Sequence, residues 1–193
     1  MKKLLRVTSV VALGFLLSFT FSKEKKVVVI DAGHGGADMG VNREGFIEKD
    51  VVLKVAKKIK ELNKNANLEI ILTRDDDSFP TLAERTDKIN KLKPDFTISL
   101  HVNSVFKDKS DKRGAEVYYK ENDASKLIAD KLALKFDNCP VKTAKLHMLR
   151  MSDNPAVMLE LGFVNNPHER EYIGSEKGQI EMAEKILSVI NEH

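Results

Sequence analysis

Residues 26–36 read KVVVIDAGHGG, and this stretch decides the fold. Its first six residues are dominated by β-branched side chains, a pattern typical of a strand buried on both faces of a sheet. The run stops at a glycine-rich turn that carries His34. We therefore predict a buried strand whose carboxyl end opens directly into a polar loop.

The rest of the chain alternates between strand and helix patterns. Apolar residues recur with a helical period over 49–64 and 178–191, and Thr81 with Glu84 matches a capping box that opens a helix stopped by Pro94. Further strands are predicted at 68–73, 95–102, 115–119 and 155–163, with a short one near 145–150, and a further helix at 123–136. This alternation predicts a single α/β domain, with a twisted, mostly parallel or mixed sheet flanked by helices on both faces.

Length and composition exclude two broad classes of protein. The chain has 193 residues, which suits one domain. Hydrophobic residues make up 42% of it, enough for a core, and charged residues make up 32%, enough for a well-solvated surface. The sequence is therefore neither a disordered chain nor a multi-span membrane protein.

The N-terminal segment has the composition of an export signal. Lys2, Lys3 and Arg6 precede an uncharged, mostly apolar stretch at 7–22. A helix of that length spans about 24 Å, which is short of a hydrocarbon core of about 30 Å. We predict that 1–22 is a cleavable secretory signal segment and that 23–193 is the functional domain, with an uncleaved N-terminal anchor as the alternative.

The net charge of +3 does not indicate a nucleic-acid partner. The first 22 residues contain three basic residues and no acidic one, so 23–193 contain 29 basic and 29 acidic residues. The functional domain is therefore formally neutral, and its aromatic content is low, at 6% of the chain with no Trp. Both features argue against a nucleic-acid binder.

Polar residues at the carboxyl ends of the predicted strands mark the functional edge of an α/β sheet. His34 follows the first strand, His101 ends the third, and Glu160 lies inside an otherwise apolar strand. A buried carboxylate must be paired or bound to a cation, so these residues suggest a cation site, with Glu48 at the start of the first helix as a further ligand. The alternative is that these residues bind no cation. His34 would then be an ordinary loop residue, His101 a histidine whose hydrogen bonds are satisfied by the protein, and Glu48 a charge favoured by the helix dipole at the N-terminus of its helix.

Five blocks of sequence, in this order, resemble the zinc-dependent N-acetylmuramoyl-L-alanine amidases of the amidase_3 type. The blocks are VVVIDAGHGGADMG (27–40), GFIEKDVVLKVAKKI (45–59), LTRDDDSFPTLAER (72–85), ISLHVNS (98–104) and PAVMLELGFVNNPHE (155–169). They extend from the first strand nearly to the last helix. The family fold, a twisted sheet flanked by helices, agrees with the strand and helix pattern.

The resemblance implies a site and a reaction. It implies one zinc ion bound by His34, Glu48 and His101, with Glu160 as the catalytic carboxylate and 23–193 as the catalytic domain. The implied substrate is peptidoglycan, cut at the amide between the lactyl group of N-acetylmuramic acid and L-alanine of the stem peptide. Zinc-activated water is the expected nucleophile, with Glu160 moving its proton to the departing nitrogen.

The resemblance also bears on location and partners. A peptidoglycan substrate and the signal segment imply export to the periplasm or cell envelope, with no membrane contact after cleavage. We expect a monomer with possible cell-division partners. Because the loop at 103–114 is too short for a helical plug over the site, we expect activity without an activator protein.

Several other polar residues receive structural interpretations. Asp31 is expected to support the His34 loop or to contact a ligand side chain. Arg74 and Arg85 are expected to form structural ion pairs, with contact to substrate carboxylates as the alternative. Asn103 fits a turn as well as a role in orienting a ligand or touching substrate, and the acidic run at 75–77 fits a solvated turn rather than a calcium site. The chain has a single cysteine, Cys139, for which we expect a structural role. No role is predicted for the other three histidines, which are His147, His168 and His193.

Two rival functions remain open from sequence. One is a zinc peptidase that cuts within the stem peptide, which would use the same ligands. The other is a catalytically silent wall-binding regulator, which would not need Glu160. The leading interpretation is an amidase that acts in wall remodelling or cell separation.

Overall fold

The computed structural model describes residues 25–107, 109–137 and 139–193. The predicted signal segment at 1–22 lies outside this part of the chain. The described residues contain eight strands: β1 (Lys26–Ala32), β2 (Asn42–Arg43), β3 (Phe46–Ile47), β4 (Leu68–Leu72), β5 (Phe96–Asn103), β6 (Glu116–Tyr119), β7 (Val141–Thr143) and β8 (Ala156–Phe163). Six helices accompany them: α1 (Glu48–Leu62), α2 (Leu82–Leu92), α3 (Asp123–Lys135), α4 (His147–Met151), α5 (Pro167–Gly174) and α6 (Glu176–Glu192).

Six of the strands form one sheet in the order β4-β1-β5-β8-β6-β7. All neighbours are parallel except β6 and β8, which are antiparallel. β2 and β3 form a separate two-stranded hairpin that leads into α1. Because β1, β5 and β8 are adjacent and parallel, their carboxyl ends lie together at one edge of the sheet.

Side chains of β1 alternate between two packed faces, which is why its residues 27–30 are all apolar. Val28 and Ile30 join the large core under α1, α3, α5 and α6, while Val29 packs with Ile89 of α2 and Met148 of α4 on the opposite face. The predicted α/β domain with a mixed, mostly parallel sheet and helices on both faces is therefore confirmed. Within the described residues, no helix is both long and apolar enough to cross a membrane.

The capping prediction for α2 is confirmed. The Thr81 hydroxyl accepts from the Glu84 amide at 3.2 Å, and the Glu84 carboxylate accepts from the Thr81 amide at 2.8 Å. The helix ends at Leu92, where Lys93 adopts a left-handed conformation just before Pro94. These contacts satisfy backbone and side-chain groups at the start of α2 and fix where the helix begins.

The short strand predicted near 145–150 is wrong. That stretch forms α4, and the strand β7 lies earlier, at Val141–Thr143. A short apolar run suits a strand or one helical turn equally, and here the Ser152 hydroxyl donates to the Met148 carbonyl and favours the turn. α5 was not predicted, although Asn166 caps it and Pro167 opens it, which is a recognised helix start.

Candidate metal centre and active site

Three side chains from separate elements meet at the carboxyl edge of the sheet. His34 lies in the loop after β1, Glu48 is the first residue of α1, and His101 lies near the end of β5. Glu48 Oε1 lies 3.1 Å from His34 Nε2 and 3.2 Å from His101 Nδ1. One ligand atom from each residue lies within 4.8 Å of the other two, so the cluster could hold a metal ion.

The close approach of β1 and β5 explains the glycine before His34. A Cβ added at Gly33 would lie 2.4 Å from His101 Cε1, so any side chain there would displace the imidazole. His34 itself has a positive φ of 58°, which is unfavourable for a residue with a side chain and must be held by its surroundings.

Two buried arginines hold the loop around His34. Arg74 donates to the carbonyl oxygens of Ala32 at 3.0 Å and Gly33 at 2.8 Å, and Arg85 donates to the carbonyl oxygen of His34. Arg85 also pairs with Asp31 at 2.8 Å, so the ion pair predicted for it is confirmed. Arg74 is different, because its hydrogen bonds go to backbone carbonyls rather than to a carboxylate.

Glu48 is fixed as firmly as the loop. It is buried, and its two carboxylate oxygens accept from the amides of Val41 at 2.8 Å and Val102 at 2.9 Å. Burial raises its pKa, but hydrogen bonds and charge from His101 and His34 outweigh burial and hold the pKa well below its usual range. Glu48 is therefore an anionic ligand already in place at the start of α1.

The pKa of His34 is shifted in the opposite direction to that of Glu48. Burial lowers its pKa, but hydrogen bonds and charge from Glu48 and Asp38 outweigh burial and raise the pKa to about 9. A metal ion bound by this histidine must displace that proton, so binding is expected to weaken as pH falls. The Asp38 carboxylate accepts from His34 Nδ1 at 2.9 Å and fixes the ring, so that Nε2 lies toward Glu48.

Glu160 lies beside the cluster on the neighbouring strand. It is in register with His101 across β5 and β8, so both side chains lie on the α2 face of the sheet. Its Oε2 atom is buried and has no hydrogen-bond partner among the described residues. Burying an unpaired carboxylate oxygen costs free energy, and a bound cation or water would remove that cost. Burial is the main cause that raises the pKa of Glu160 to about 7.

A second carboxylate continues this row. Glu116 of β6 is in register with Glu160 and accepts from Asn103 at 3.1 Å, Tyr118 at 2.8 Å and Lys142 at 2.8 Å. The side-chain amide of Asn103 therefore donates to a carboxylate rather than to a proposed ligand, and its side-chain oxygen accepts from the backbone amide of the adjacent Ser104 at 2.8 Å.

A cavity of about 370 Å³ opens on the α2 face beside the cluster. His34 and His101 form part of its wall, and α2 and α4 close two other sides. His147, which received no role from sequence, also lines it, and its Nε2 atom is buried without a partner in the described part of the chain. No sequence motif marks His147, because its position depends on how α4 packs.

The remaining polar residues lie outside the cluster. In the acidic run at 75–77, Asp77 accepts from the Gly36 amide at 2.9 Å and from Lys49 at 2.7 Å, so this run ties down the His34 loop as well as facing solvent. Burial raises the pKa of Cys139 to about 11, which fits a structural residue rather than a nucleophile.

Comparisons with known proteins identify the family of this chain. The family model for N-acetylmuramoyl-L-alanine amidases of the amidase_3 type matches residues 28–192. The germination-specific N-acetylmuramoyl-L-alanine amidase of Bacillus subtilis is 29% identical over 187 residues, covering 86% of this chain and 78% of the relative. The crystal structure of an N-acetylmuramoyl-L-alanine amidase from Clostridium difficile 630 superposes with a TM-score of 0.83 at 29% identity, covering 88% of this chain and 97% of that one.

The catalytic domain of the amidase CwlV from Bacillus (Paenibacillus) polymyxa gives a TM-score of 0.81 at 34% identity, covering 86% of this chain and 97% of that one. The resemblance inferred from the five sequence blocks is thus confirmed over nearly all of the described residues. The chain belongs to the N-acetylmuramoyl-L-alanine amidase family of the amidase_3 type.

Proposed function

We propose that this protein hydrolyses the amide between the lactyl group of N-acetylmuramic acid and L-alanine in peptidoglycan, in wall remodelling or cell separation. One observation carries the proposal. Two histidines and a carboxylate converge beside a second, buried carboxylate without a partner in the described chain, and the chain belongs to an amidase family. The arrangement matches the needs of metal-assisted amide hydrolysis.

The proposed cofactor is one zinc ion, held by His34, Glu48 and His101. Two imidazoles and a carboxylate are a common ligand set in zinc hydrolases, which keep a fourth position open. A zinc ion held by these residues would supply Lewis-acid chemistry, which activates water for attack on an amide carbonyl near neutral pH. The protein supplies the geometry, because Asp38 holds the ring of His34 and the amides of Val41 and Val102 hold the carboxylate of Glu48.

Glu160 is the proposed general base and acid. Its buried Oε2 takes a proton from the attacking water and then passes that proton to the departing alanine nitrogen. A carboxyl whose pKa is about 7 can do both near neutral pH. Its position on β8, in register with His101 on β5, supports a role beside the three proposed ligands.

We further propose that the protein is exported to the periplasm or cell envelope, where its substrate lies. The charged and apolar pattern of 1–22 supports cleavage of a signal segment, with 23–193 as a monomeric catalytic domain. The short loop after β5 supports activity without an activator protein. Cell-division proteins are the proposed class of partner.

The role of Glu160 can be tested with Glu160→Gln, matched by Glu69→Gln, which changes an exposed glutamate on β4. Glu160→Gln is expected to bind one zinc per chain like the wild type and to lose hydrolysis by at least a hundredfold. Glu69→Gln is expected to retain both properties. Unchanged hydrolysis in Glu160→Gln would remove this residue from its role, and lost zinc would make it a ligand instead.

The site of cleavage separates the amidase from a stem-peptide peptidase. Mass spectrometry of digested muropeptides is expected to show intact stem peptides with a free alanine amine and glycan strands with a free lactyl carboxylate. Stem peptides cut internally would support the peptidase. Wall binding without any cut would support a silent regulator.

A further inference from the structure

We propose that the loop between β5 and β6 is a docking surface for glycan strands that carry free lactyl carboxylates, the polymer that the proposed reaction leaves behind. Residues 104–113 form this loop, which we call the display loop. The identity of the strand rests on the proposed function, whereas the surface itself lies outside the ligand cluster. The inference assigns a partner to Phe106, the most exposed of the large hydrophobic side chains that the structure describes.

The ring of Phe106 is held out in solvent by contacts on both sides of it. Phe106 has an exposed fraction of 110%, whereas Asn165, which anchors its neighbours, has an exposed fraction of 0%. The Asn165 side chain accepts from the Val105 amide at 2.8 Å and donates to the carbonyl oxygens of Val105, at 3.1 Å, and Lys107. Because the backbone is tied down before and after Phe106, the ring is presented at a defined place.

Two further contacts hold the display loop against the segment that follows β8. The Ser110 amide donates to the Asn165 carbonyl oxygen at 3.3 Å, and the amide of Gly114, just after the loop, donates to Glu169 at 2.9 Å. The loop starts where β5, the strand of His101, ends, so it lies at the same edge of the sheet as the ligand cluster. None of its described residues lines the cavity beside that cluster. A polymer that extends along this edge beyond the cluster therefore reaches the display loop.

The display loop is also a local excess of positive charge on a neutral domain. Its sequence, SVFKDKSDKR, contains four basic and two acidic residues, whereas 23–193 as a whole contain 29 of each. The four basic side chains are all exposed, and two of them, Lys107 and Lys109, follow Phe106 closely in the chain. An aromatic ring and several cations are therefore offered to solvent together.

The proposed reaction produces a strand that complements both features. Hydrolysis replaces the neutral amide on each muramoyl unit with a carboxylate, so a glycan that has lost its peptides is a chain of pyranose rings with regularly placed negative charges. The C–H groups on a pyranose face carry partial positive charge and pack against the negative face of an aromatic ring. The exposed lysines attract the carboxylates. Such a contact keeps the enzyme on a strand that it has begun to cut.

An anionic membrane surface is a weaker match for this loop. Among its described residues the loop has one exposed large hydrophobic side chain, Phe106, whereas binding in a membrane interface relies on a broad apolar face. The loop also lies at the carboxyl edge of the sheet, opposite the edge where β1 begins at Lys26. If the N-terminal segment remained as an anchor, it would join the domain at that far edge.

The test measures binding of soluble glycan strands to zinc-loaded 23–193 by isothermal titration calorimetry. The first probe is peptide-free glycan with free lactyl carboxylates, prepared with an amidase from another source. The second probe is the same glycan after its carboxylates are converted to methylamides, which removes the charge and keeps every sugar. Binding to the charged glycan is expected to be about threefold to tenfold tighter, with a difference that shrinks as salt rises.

Variants separate the contribution of the ring from that of the charges. Phe106→Ala is expected to weaken binding of both glycans by about fivefold or more, and Phe106→Trp to retain it, since Trp keeps an aromatic face. Combining Lys107→Gln with Lys109→Gln is expected to remove the preference for the charged glycan. Leu134→Ala, which changes a side chain on α3 that is 85% exposed, is the matched control and should bind both glycans like the wild type.

Three results would overturn the assignment. They are equal binding by wild type and Phe106→Ala, equal affinity of the wild type for the two glycans, and binding to vesicles of anionic phospholipid without binding to either glycan. The last result would identify a membrane as the partner instead. Failure of the proposed function is seen separately, as uncut muramoyl–alanine amides after digestion of peptidoglycan, a measurement that does not use the prepared glycans.

Discussion

Arg85→Met removes the guanidinium that links α2 to the carboxyl end of β1. Arg85 is 3% exposed and pairs with Asp31, which is 1% exposed, at 2.8 Å. The same side chain donates to the carbonyl oxygens of Ala32 at 2.6 Å and Pro80 at 2.9 Å, and to that of His34. The substitution preserves much of the apolar volume and removes these polar contacts together.

The expected loss of stability is large because Asp31 stays buried. After the change, Asp31 retains only the hydroxyl groups of Thr73, at 2.6 Å, and Ser99, at 2.7 Å. Removing one partner of a buried ion pair costs about 3–5 kcal/mol. A domain of this size has a free energy of unfolding of about 5–15 kcal/mol, so the variant loses a large share of it.

The loss must depend on pH in a defined direction. In the wild type, burial raises the pKa of Asp31, but the charge of Arg85 and the hydrogen bonds from Thr73, Ser99 and Arg85 outweigh burial and lower it. The native pKa is then below the unfolded value of about 3.9, so this stabilisation is present above about pH 4 and is lost as pH falls further.

In Arg85→Met the balance at Asp31 reverses, because burial acts without the opposing charge. The native pKa of Asp31 then exceeds the unfolded value, and the carboxyl becomes protonated as pH falls toward 4. Protonation relieves the uncompensated charge. The difference in stability between wild type and variant should therefore be largest near pH 7 and smaller near pH 4.5.

Urea unfolding of metal-free 23–193 at both pH values measures this difference. Arg150→Met, which changes an exposed arginine on α4, is the control and should alter stability by less than about 0.5 kcal/mol. Zinc affinity of Arg85→Met should also fall, because the carbonyl of His34 loses its partner. If Arg85→Met lowers the free energy of unfolding by less than about 1 kcal/mol at pH 7, or by the same amount at both pH values, the buried Arg85–Asp31 pair does not have the stabilising role given to it here.

Three further predictions concern the cap, a glycine near the ligands and the thiol. Thr81→Ala removes the α2 capping box and should lower the free energy of unfolding by about 1 kcal/mol, whereas the exposed Thr143→Ala should not; equal effects would show that the cap contributes nothing. Gly40 and Gly45 both have positive φ, but only at Gly40 would a Cβ lie 2.5 Å from the carboxylate of one proposed ligand and 2.7 Å from the ring of another. Gly40→Ala should therefore weaken zinc binding, measured by competition with a chelator, by more than about tenfold relative to Gly45→Ala, and similar affinities would contradict this placement of the ligands. Because burial and the nearby Glu116 charge raise the pKa of Cys139 to about 11, alkylation by iodoacetamide at pH 8 should be far slower than for a free thiol, and rapid modification would count against a buried structural role.

Much of the candidate site could be predicted because it follows from strand order. His34 and His101 occupy the carboxyl ends of buried strands, and in parallel neighbours those ends must coincide. Glu48 could be placed because it begins a helix whose apolar period is clear. The convergence of the three could not be derived from periodicity, since it depends on the hairpin that turns α1 back toward the β1 loop.

The parts that could not be predicted depend on packing between distant segments. Arg74 donates to backbone carbonyl oxygens, and no sequence pattern shows which carbonyls a buried guanidinium will reach. His147 lies on a five-residue helix whose apolar run fits a strand equally well, so its place in the cavity wall was missed. In both cases the local sequence fits more than one arrangement, and contacts with distant segments determine which one forms.

We propose that this chain cuts the muramoyl–alanine amide with one bound zinc ion. The most direct test digests purified peptidoglycan with 23–193 after removal of metal by chelation, then after addition of one equivalent of zinc, with no other protein present. We expect no products from the metal-free protein. After zinc is added, we expect intact stem peptides with free alanine amines and glycan strands with free lactyl carboxylates. Equal digestion without metal, or products cut within the stem peptide, would contradict it.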